Sequence, residues 1–254
     1  MEPNAQKGPV SIRSERPAAR MRLFCFPYAG GAASIYRGWS QSLPTDIEVA
    51  AVQLPGREWR IQEPLQDSME ALAADALNAM HPYMNKPYAL LGTSMGGTLI
   101  FELARLIRAN GLPEPVCLVP CACGAPHLPE PRPLHQLSDA ELLAEITDYG
   151  VMSEEVKQHP ELTEMFLPLI RNDCIAHETY AYKDEMPFSY PLWVYAGLYD
   201  DTIERDRLNA WEIHSTADCQ VHMVEGGHLF VDTLPDLFLT SLSRRLLGTL
   251  ERPS

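Results

Sequence analysis

The sequence predicts an α/β fold with a mostly parallel central sheet and helices on both faces, and three observations carry that prediction. Short apolar runs of strand length alternate with longer stretches of helical periodicity, the pattern of a parallel sheet buried on both sides. Several of the runs end in loops rich in glycine or acidic residues, and in such sheets ligands collect at the carboxyl ends of the strands. One of these loops is Gly92-Thr93-Ser94-Met95-Gly96, set between an apolar run at 88–91 and a helical pattern that stops at Asn110-Gly111.

The elements follow in order. Residues 1–20 carry three Pro, three Arg and two Ser and read as a flexible N-terminal segment, leaving 21–254 as a single domain. A strand at 21–26 ends in Phe26-Pro27-Tyr28-Ala29-Gly30-Gly31. A helix is expected over 34–43 with Ser34 as its N-cap. A second strand at 47–52 leads into Gln53-Leu54-Pro55-Gly56-Arg57-Glu58. Met69, Leu72, Ala73, Ala76, Leu77 and Met80 then fall at helical spacing behind Asp67 or Ser68. After the central strand and its helix, 116–121 reads as another strand. From 125 the pattern changes: Pro126, Pro129, Pro131 and Pro133 break structure, and helical sequence at 138–143 and 161–182 follows with no strand between. Residues 125–186 therefore read as a helical lid inserted over the strand ends. Pro160 and Pro168 are expected as helix starts or breaks. Strands at 192–196 and 219–224, a helix at 205–214 and a closing helix at 234–250 complete the domain.

The bulk properties exclude several classes. The 254 residues are 46% apolar, enough for a full core, and the net charge of −14 would repel a phosphate backbone, so nucleic acid is not an expected partner. No stretch approaches the roughly 18 unbroken apolar residues of a membrane span, and residues 1–20 lack the apolar core of a signal peptide; the expected location is the cytoplasm. The six cysteines form no C-x-x-C pair and no zinc-ligand spacing, so they read as buried reduced thiols, and no metal is expected.

The chemistry lies in the loops. Gly92-x-Ser94-x-Gly96 between a strand and a helix is a nucleophile elbow: the tight turn needs glycines two residues either side of a serine lifted to a helix N-terminus. A serine hydroxyl needs a base, usually histidine, and a group to orient it. In the α/β-hydrolase arrangement these follow in the order Ser, acid, His. Beyond the Asp200 loop lie His214, His222 and His228; of these only His228, in Glu225-Gly226-Gly227-His228, sits in a glycine-flanked loop at a strand's carboxyl end. Gly197-x-x-Asp200 favours Asp200 as the acid, with Asp201 as its rival. The oxyanion donors are expected from the N–H of Met95 and from the loop Tyr28-Ala29-Gly30-Gly31.

Taken together, these motifs resemble the type II thioesterases that accompany nonribosomal peptide and polyketide synthases. The opening Phe26-Pro27-Tyr28-Ala29-Gly30-Gly31, the segment Gln53-Leu54-Pro55-Gly56-Arg57-Glu58, and the histidine loop Gly226-Gly227-His228 match that family. So do Leu137-Ser138-Asp139, Leu167-Pro168-Leu169-Ile170-Arg171-Asn172-Asp173 and Glu178-Thr179-Tyr180 in the lid. The resemblance covers residues 21–247 and implies an α/β-hydrolase fold, a Ser94–Asp200–His228 triad and oxyanion donors at Ala29 and Met95. Thr93 departs from it, since family members usually carry histidine there. The implied activity is hydrolysis of acyl or peptidyl groups stalled on the phosphopantetheine arm of carrier proteins, which would be the partners. No cofactor is expected beyond the phosphopantetheine that the partner carries.

Three alternatives stand beside that reading: a small-molecule carboxylesterase or lipase, a synthase release domain that cyclises its product, and an inactive hydrolase fold used for binding. No carrier domain precedes residue 21, which favours a free-standing enzyme over a release domain. A monomer is the expected state. Movable lid helices are expected to shape an acyl pocket with some of Leu142, Leu143, Ile146, Phe166, Leu169 and Ile170.

Overall fold

The computed structural model describes residues 8–151, 159–233 and 235–251. Among them, seven strands form one sheet in the order β1-β3-β2-β4-β5-β6-β7. The strands are β1 (Val10–Ser11), β2 (Met21–Phe26), β3 (Ile47–Val52), β4 (Tyr88–Thr93), β5 (Leu118–Cys121), β6 (Leu192–Gly197) and β7 (Cys219–Val224). All neighbours run parallel except β1, which is antiparallel to β3. Every residue of β2, β3, β4, β5 and β6 is buried. This accounts for their continuous apolar runs, because a strand covered on both faces has no solvent side to alternate with. The one charged pair in these runs, Arg22 and Glu48, faces across β2 and β3 as register partners, Nε to Oε2 at 2.7 Å, and further bonds from the Arg16 N–H to Glu48 and from Arg22 to Asn85 Oδ1 satisfy it.

The helices are α1 (Trp39–Ser42), α2 (Met69–Met80), α3 (Met95–Ala109), α4 (Asp139–Asp148), α5 (Pro160–Glu178), α6 (Arg205–Asn209), α7 (Phe230–Thr233) and α8 (Pro235–Thr249). One apolar layer lies between the sheet and α2 and α3, with Leu72, Ala76, Leu99 and Leu103 against Phe24 and Leu90. The other lies beneath α8, with Phe238 and Leu242 against Leu23, Leu91 and Trp193. No helix among the described residues is long and apolar enough to cross a membrane.

Four expectations need correction. The segment 1–20 is not a loose lead-in where it is described: Val10 and Ser11 pair with Val52 and Ala51, and Gln53 N–H donates to Pro9 O at 2.8 Å. The Arg16 guanidinium donates to the carbonyls of Pro44 at 2.6 Å and Ile47 at 2.9 Å. Residues 1–7 lie outside the described range. The helix expected over 34–43 is a 3-10 turn (Ala33–Tyr36) followed by α1, with Gly38 between and no side-chain cap from Ser34. Ala33 and Tyr36 are buried three apart, which the 3-10 turn eclipses onto one side, and Trp39 at the start of α1 is buried as well. The strand expected over 116–121 begins only at Leu118. Finally, α5 runs through Pro168 without a break. Pro168 faces solvent, so water can satisfy the carbonyl that lost its N–H partner.

Candidate active site

The turn from β4 into α3 holds Ser94 at φ 52° and ψ −119°, a conformation few non-glycine residues adopt. Its neighbours show why glycine is required. A Cβ on Gly92 would lie 1.9 Å from the Gly96 carbonyl oxygen, and one on Gly96 would lie 2.6 Å from that of Phe26. The turn can therefore close only without those side chains, and closing it presses the elbow against the end of β2. The same logic joins the acid and histidine loops. A Cβ on Gly197 would lie 2.3 Å from Gly227 O, and Tyr199 N–H donates to Gly226 O at 2.9 Å.

Ser94, His228 and Asp200 meet at the carboxyl edge of the sheet. Ser94 Oγ lies 3.1 Å from His228 Nε2, and His228 Nδ1 lies 2.9 Å from Asp200 Oδ2. A proton on Nδ1 is held by the carboxylate, which leaves Nε2 free to accept from the serine hydroxyl. Asp201, the rival acid, is exposed to solvent, whereas the Asp200 side chain is almost fully enclosed. Burial pushes the Asp200 carboxyl up, but its hydrogen bond and charge interaction with His228 and two hydrogen bonds from Thr202 outweigh this and hold it below the usual carboxylate range.

Thr202 is a participant that sequence reasoning missed. Its N–H and hydroxyl donate to Asp200 Oδ1 at 3.0 and 2.6 Å, and its Oγ1 lies 3.1 Å from His228 Nδ1. The signal was present in Asp200-x-Thr202, since Asp readily accepts from backbone two residues ahead.

Ala29 and Met95 line the same cavity as Ser94. Neither N–H donates to a partner among the described residues. Met95 opens α3, whose N-terminal dipole adds positive potential there. Two unpartnered N–H groups beside a serine are what a developing oxyanion needs. Thr93 is fully buried and does not line the cavity, so the departure there lies beneath the elbow.

The cavity, about 100 Å³, is covered by α4 and α5. Of the six apolar residues expected there, Ile146 and Ile170 reach it; Leu142 packs with Leu167 and Cys174 between the helices. Tyr149 and Val151 also line it. The Tyr149 ring lies over the His228 imidazole, centroids 5.4 Å apart and planes 31° from parallel. His177 in the wall is held neutral, its pKa lowered to about 4 by burial. Cys123 also lines the cavity, but burial pushes its thiol up to about 12, so it offers no thiolate as a rival nucleophile.

A parallel sheet with a serine elbow, an acid after a later strand and a histidine after the next defines the α/β-hydrolase class. Residues 21–242 match the Thioesterase domain family, and the chain belongs to that family. It is 35% identical over 232 residues to a protein named linear gramicidin dehydrogenase LgrE, from Brevibacillus parabrevis, covering 90% of this chain and 88% of that one. It superposes with a TM-score of 0.86 and 34% identity on RedJ, a thioesterase from the prodiginine pathway in Streptomyces coelicolor, covering 91% of this chain and 92% of that one. YbtT, a type II thioesterase of the yersiniabactin pathway, gives a TM-score of 0.85 at 29% identity over 95% of this chain and 99% of that one. The protein is a thioester hydrolase of the kind associated with nonribosomal peptide and polyketide synthesis.

Proposed function

We propose that this thioesterase removes acyl or peptidyl groups from the phosphopantetheine arm of carrier proteins, as a free-standing enzyme working in the cytoplasm beside a synthase. The observation that carries the chemistry is the chain of contacts from Ser94 through His228 to Asp200, 3.1 and 2.9 Å, beneath a covered cavity. Similarity to RedJ and YbtT supports the substrate class. LgrE's name describes a dehydrogenase, but no two glycines in this chain stand two apart, so the G-x-G-x-x-G nucleotide fingerprint is missing.

In the proposed reaction His228 Nε2 takes the Ser94 proton as Oγ attacks the thioester carbonyl carbon. The carbonyl electron pair moves onto oxygen, where the N–H groups of Ala29 and Met95 stabilise it. When the pair returns, the carbon–sulfur bond breaks and protonated His228 delivers its proton to the departing pantetheine thiol. His228 then takes a proton from water, the hydroxide attacks the acyl-serine, and His228 reprotonates Ser94 as the acid leaves. Asp200 holds the productive imidazole tautomer and offsets its charge throughout. The chain's own groups supply every step, so the proposal calls for no metal or diffusible cofactor.

Carrier proteins loaded with a panel of acyl groups, followed by intact mass with and without enzyme, test this reading. Conversion to the free-thiol carrier is expected, with Ser94→Ala slower by at least several thousandfold. Faster turnover of matched simple oxoesters than of carrier thioesters would make the enzyme an esterase instead.

A further inference from the structure

The buried pair Arg57 and Asp173 takes no part in the reaction steps above, yet it ends on the loop that carries one of the proposed oxyanion donors. Asp173 is fully buried and Arg57 nearly so. The guanidinium meets the carboxylate through both arms, Nη1 to Oδ2 at 2.7 Å and Nη2 to Oδ1 at 2.8 Å. A buried ion pair contributes little net stability, because desolvation consumes most of the attraction, and apolar replacements are often at least as stable. Such a pair calls for an explanation other than stability.

Its remaining bonds supply one. Asp173 Oδ2 also accepts the Gly30 N–H at 2.8 Å, and Arg57 Nη1 reaches Gly31 O at 3.3 Å. Tyr28 to Gly31 form a turn closed by Gly31 N–H to Tyr28 O at 2.8 Å, with Gly30 at φ +77° in its third place. That is the arrangement of a type II turn, which differs from type I by reversal of its central peptide. Here the central peptide joins Ala29 to Gly30. Reversal would turn the Ala29 carbonyl oxygen toward the Asp173 carboxylate in place of the Gly30 N–H. Ile170, one helical turn before Asp173 on α5, packs against the same turn: a Cβ on Gly30 would lie 2.5 Å from Ile170 Cγ1. Arg57 neutralises a carboxylate that would otherwise oppose negative charge forming nearby.

We infer that Arg57 and Asp173 are positioning residues for the oxyanion site: by bonding the Gly30 N–H and the Gly31 carbonyl they anchor the 28–31 turn, and with it the Ala29 N–H, in the wall of the cavity that Ser94 also lines. The inference rests on the serine mechanism proposed above. Asp173 stands on α5, so the helix that covers the cavity also fixes the turn on its floor.

The test compares wild type with Asp173→Asn and Arg57→Lys on an acyl-N-acetylcysteamine thioester. It also measures inhibition by an alkyl trifluoromethyl ketone, whose adduct with serine carries an oxyanion, and binding of the matched thioether, which carries none. Loss of one oxyanion donor costs roughly 10²- to 10³-fold in kcat in serine hydrolases. Asp173→Asn is expected to lower kcat by about 10²-fold, to leave KM and thioether affinity within about threefold, and to weaken the ketone by the same factor as kcat/KM. Arg57→Lys, which keeps the charge but loses the fork, is expected to fall in between. Should either single variant fail to fold, the double variant Arg57→Gln/Asp173→Asn leaves no unpaired buried charge and gives the same readouts. Lowered thermal stability with kcat and ketone affinity within threefold of wild type would overturn the inference and leave the pair as an anchor for α5. A wild-type enzyme that neither hydrolyses the thioester nor binds the ketone would instead bring down the serine mechanism itself.

Discussion

The acid after β6 turns on a difference of one position. Asp200 and Asp201 are adjacent and chemically identical, but only Asp200 is enclosed and bonded to His228. Asp200→Asn is expected to lower kcat by on the order of 10⁴-fold, because the amide favours the wrong imidazole tautomer, while Asp201→Asn stays within about threefold. Steady-state kinetics on a carrier thioester check the ranking, and the reverse order would reassign the acid. Ser94 and His228 were legible because their signals are local: glycines two residues either side of a serine, and a histidine in a glycine loop after the last strand. The pairing of Arg57 with Asp173 was not, since 116 residues separate them and no periodicity links their segments.

At the scale of elements, strands and long helices were legible because burial on both faces or one face leaves a periodic trace. The 3-10 turn before α1 was not, because residues three apart also fit the opening of an α-helix. The covering helices differ in how they are held. The C-terminal half of α5 is tied down by Asp173, by Asn172 to Gln66 O at 2.7 Å, and by Glu178, which accepts the N–H groups of Leu134 and His135 at 2.8 and 2.9 Å. α4 is joined to it by the Leu142–Leu167 cluster and by Arg171 to Asp139. Opening of the cover is therefore expected to occur at α4, with amide exchange faster there than in residues 170–178. Ile146 on α4 reaches the cavity, so Ile146→Phe is expected to shift kcat/KM several-fold toward shorter acyl chains across a thioester series. Leu143→Phe, outside the cavity, leaves that profile unchanged. Equal protection of both helices, together with an unmoved profile in Ile146→Phe, would make the cover a fixed scaffold.

Across the whole molecule, burial of neutral imidazoles sets a limit at low pH. Burial lowers His177 and His214 to about 4, and His127 and His222 shift the same way. An unfolded histidine titrates near 6.5. Between those values the unfolded chain takes up protons that the folded chain refuses. The stabilisation is complete above pH about 6.5 and is lost as pH falls toward 4. Depressed carboxylates such as Asp200 and Glu185 lose their contribution lower, as pH falls through the carboxylate range, while Glu130 and Asp232, which burial pushes up, oppose the fall toward its lower end. Urea unfolding is expected to show stability falling from pH about 6.5 toward 4, and His177→Leu to make the fall shallower by on the order of 1–3 kcal/mol. An unchanged slope in the variant would show that His177 titrates normally in the folded protein.

The short antiparallel strand β1 has a practical side. It occupies the outer edge of β3, a strand buried along its whole length, whose bared backbone would otherwise be open to pairing with another chain. An affinity tag or cleavage site placed close to Val10 therefore sits next to a sheet edge that is closed only by the two-residue strand β1. Trimming into residues 8–16 removes both the cover and the Arg16 clamp on the 43–47 loop. Handles for purification or surface attachment belong upstream of residue 8 on a spacer, or beyond α8, where they leave that edge closed.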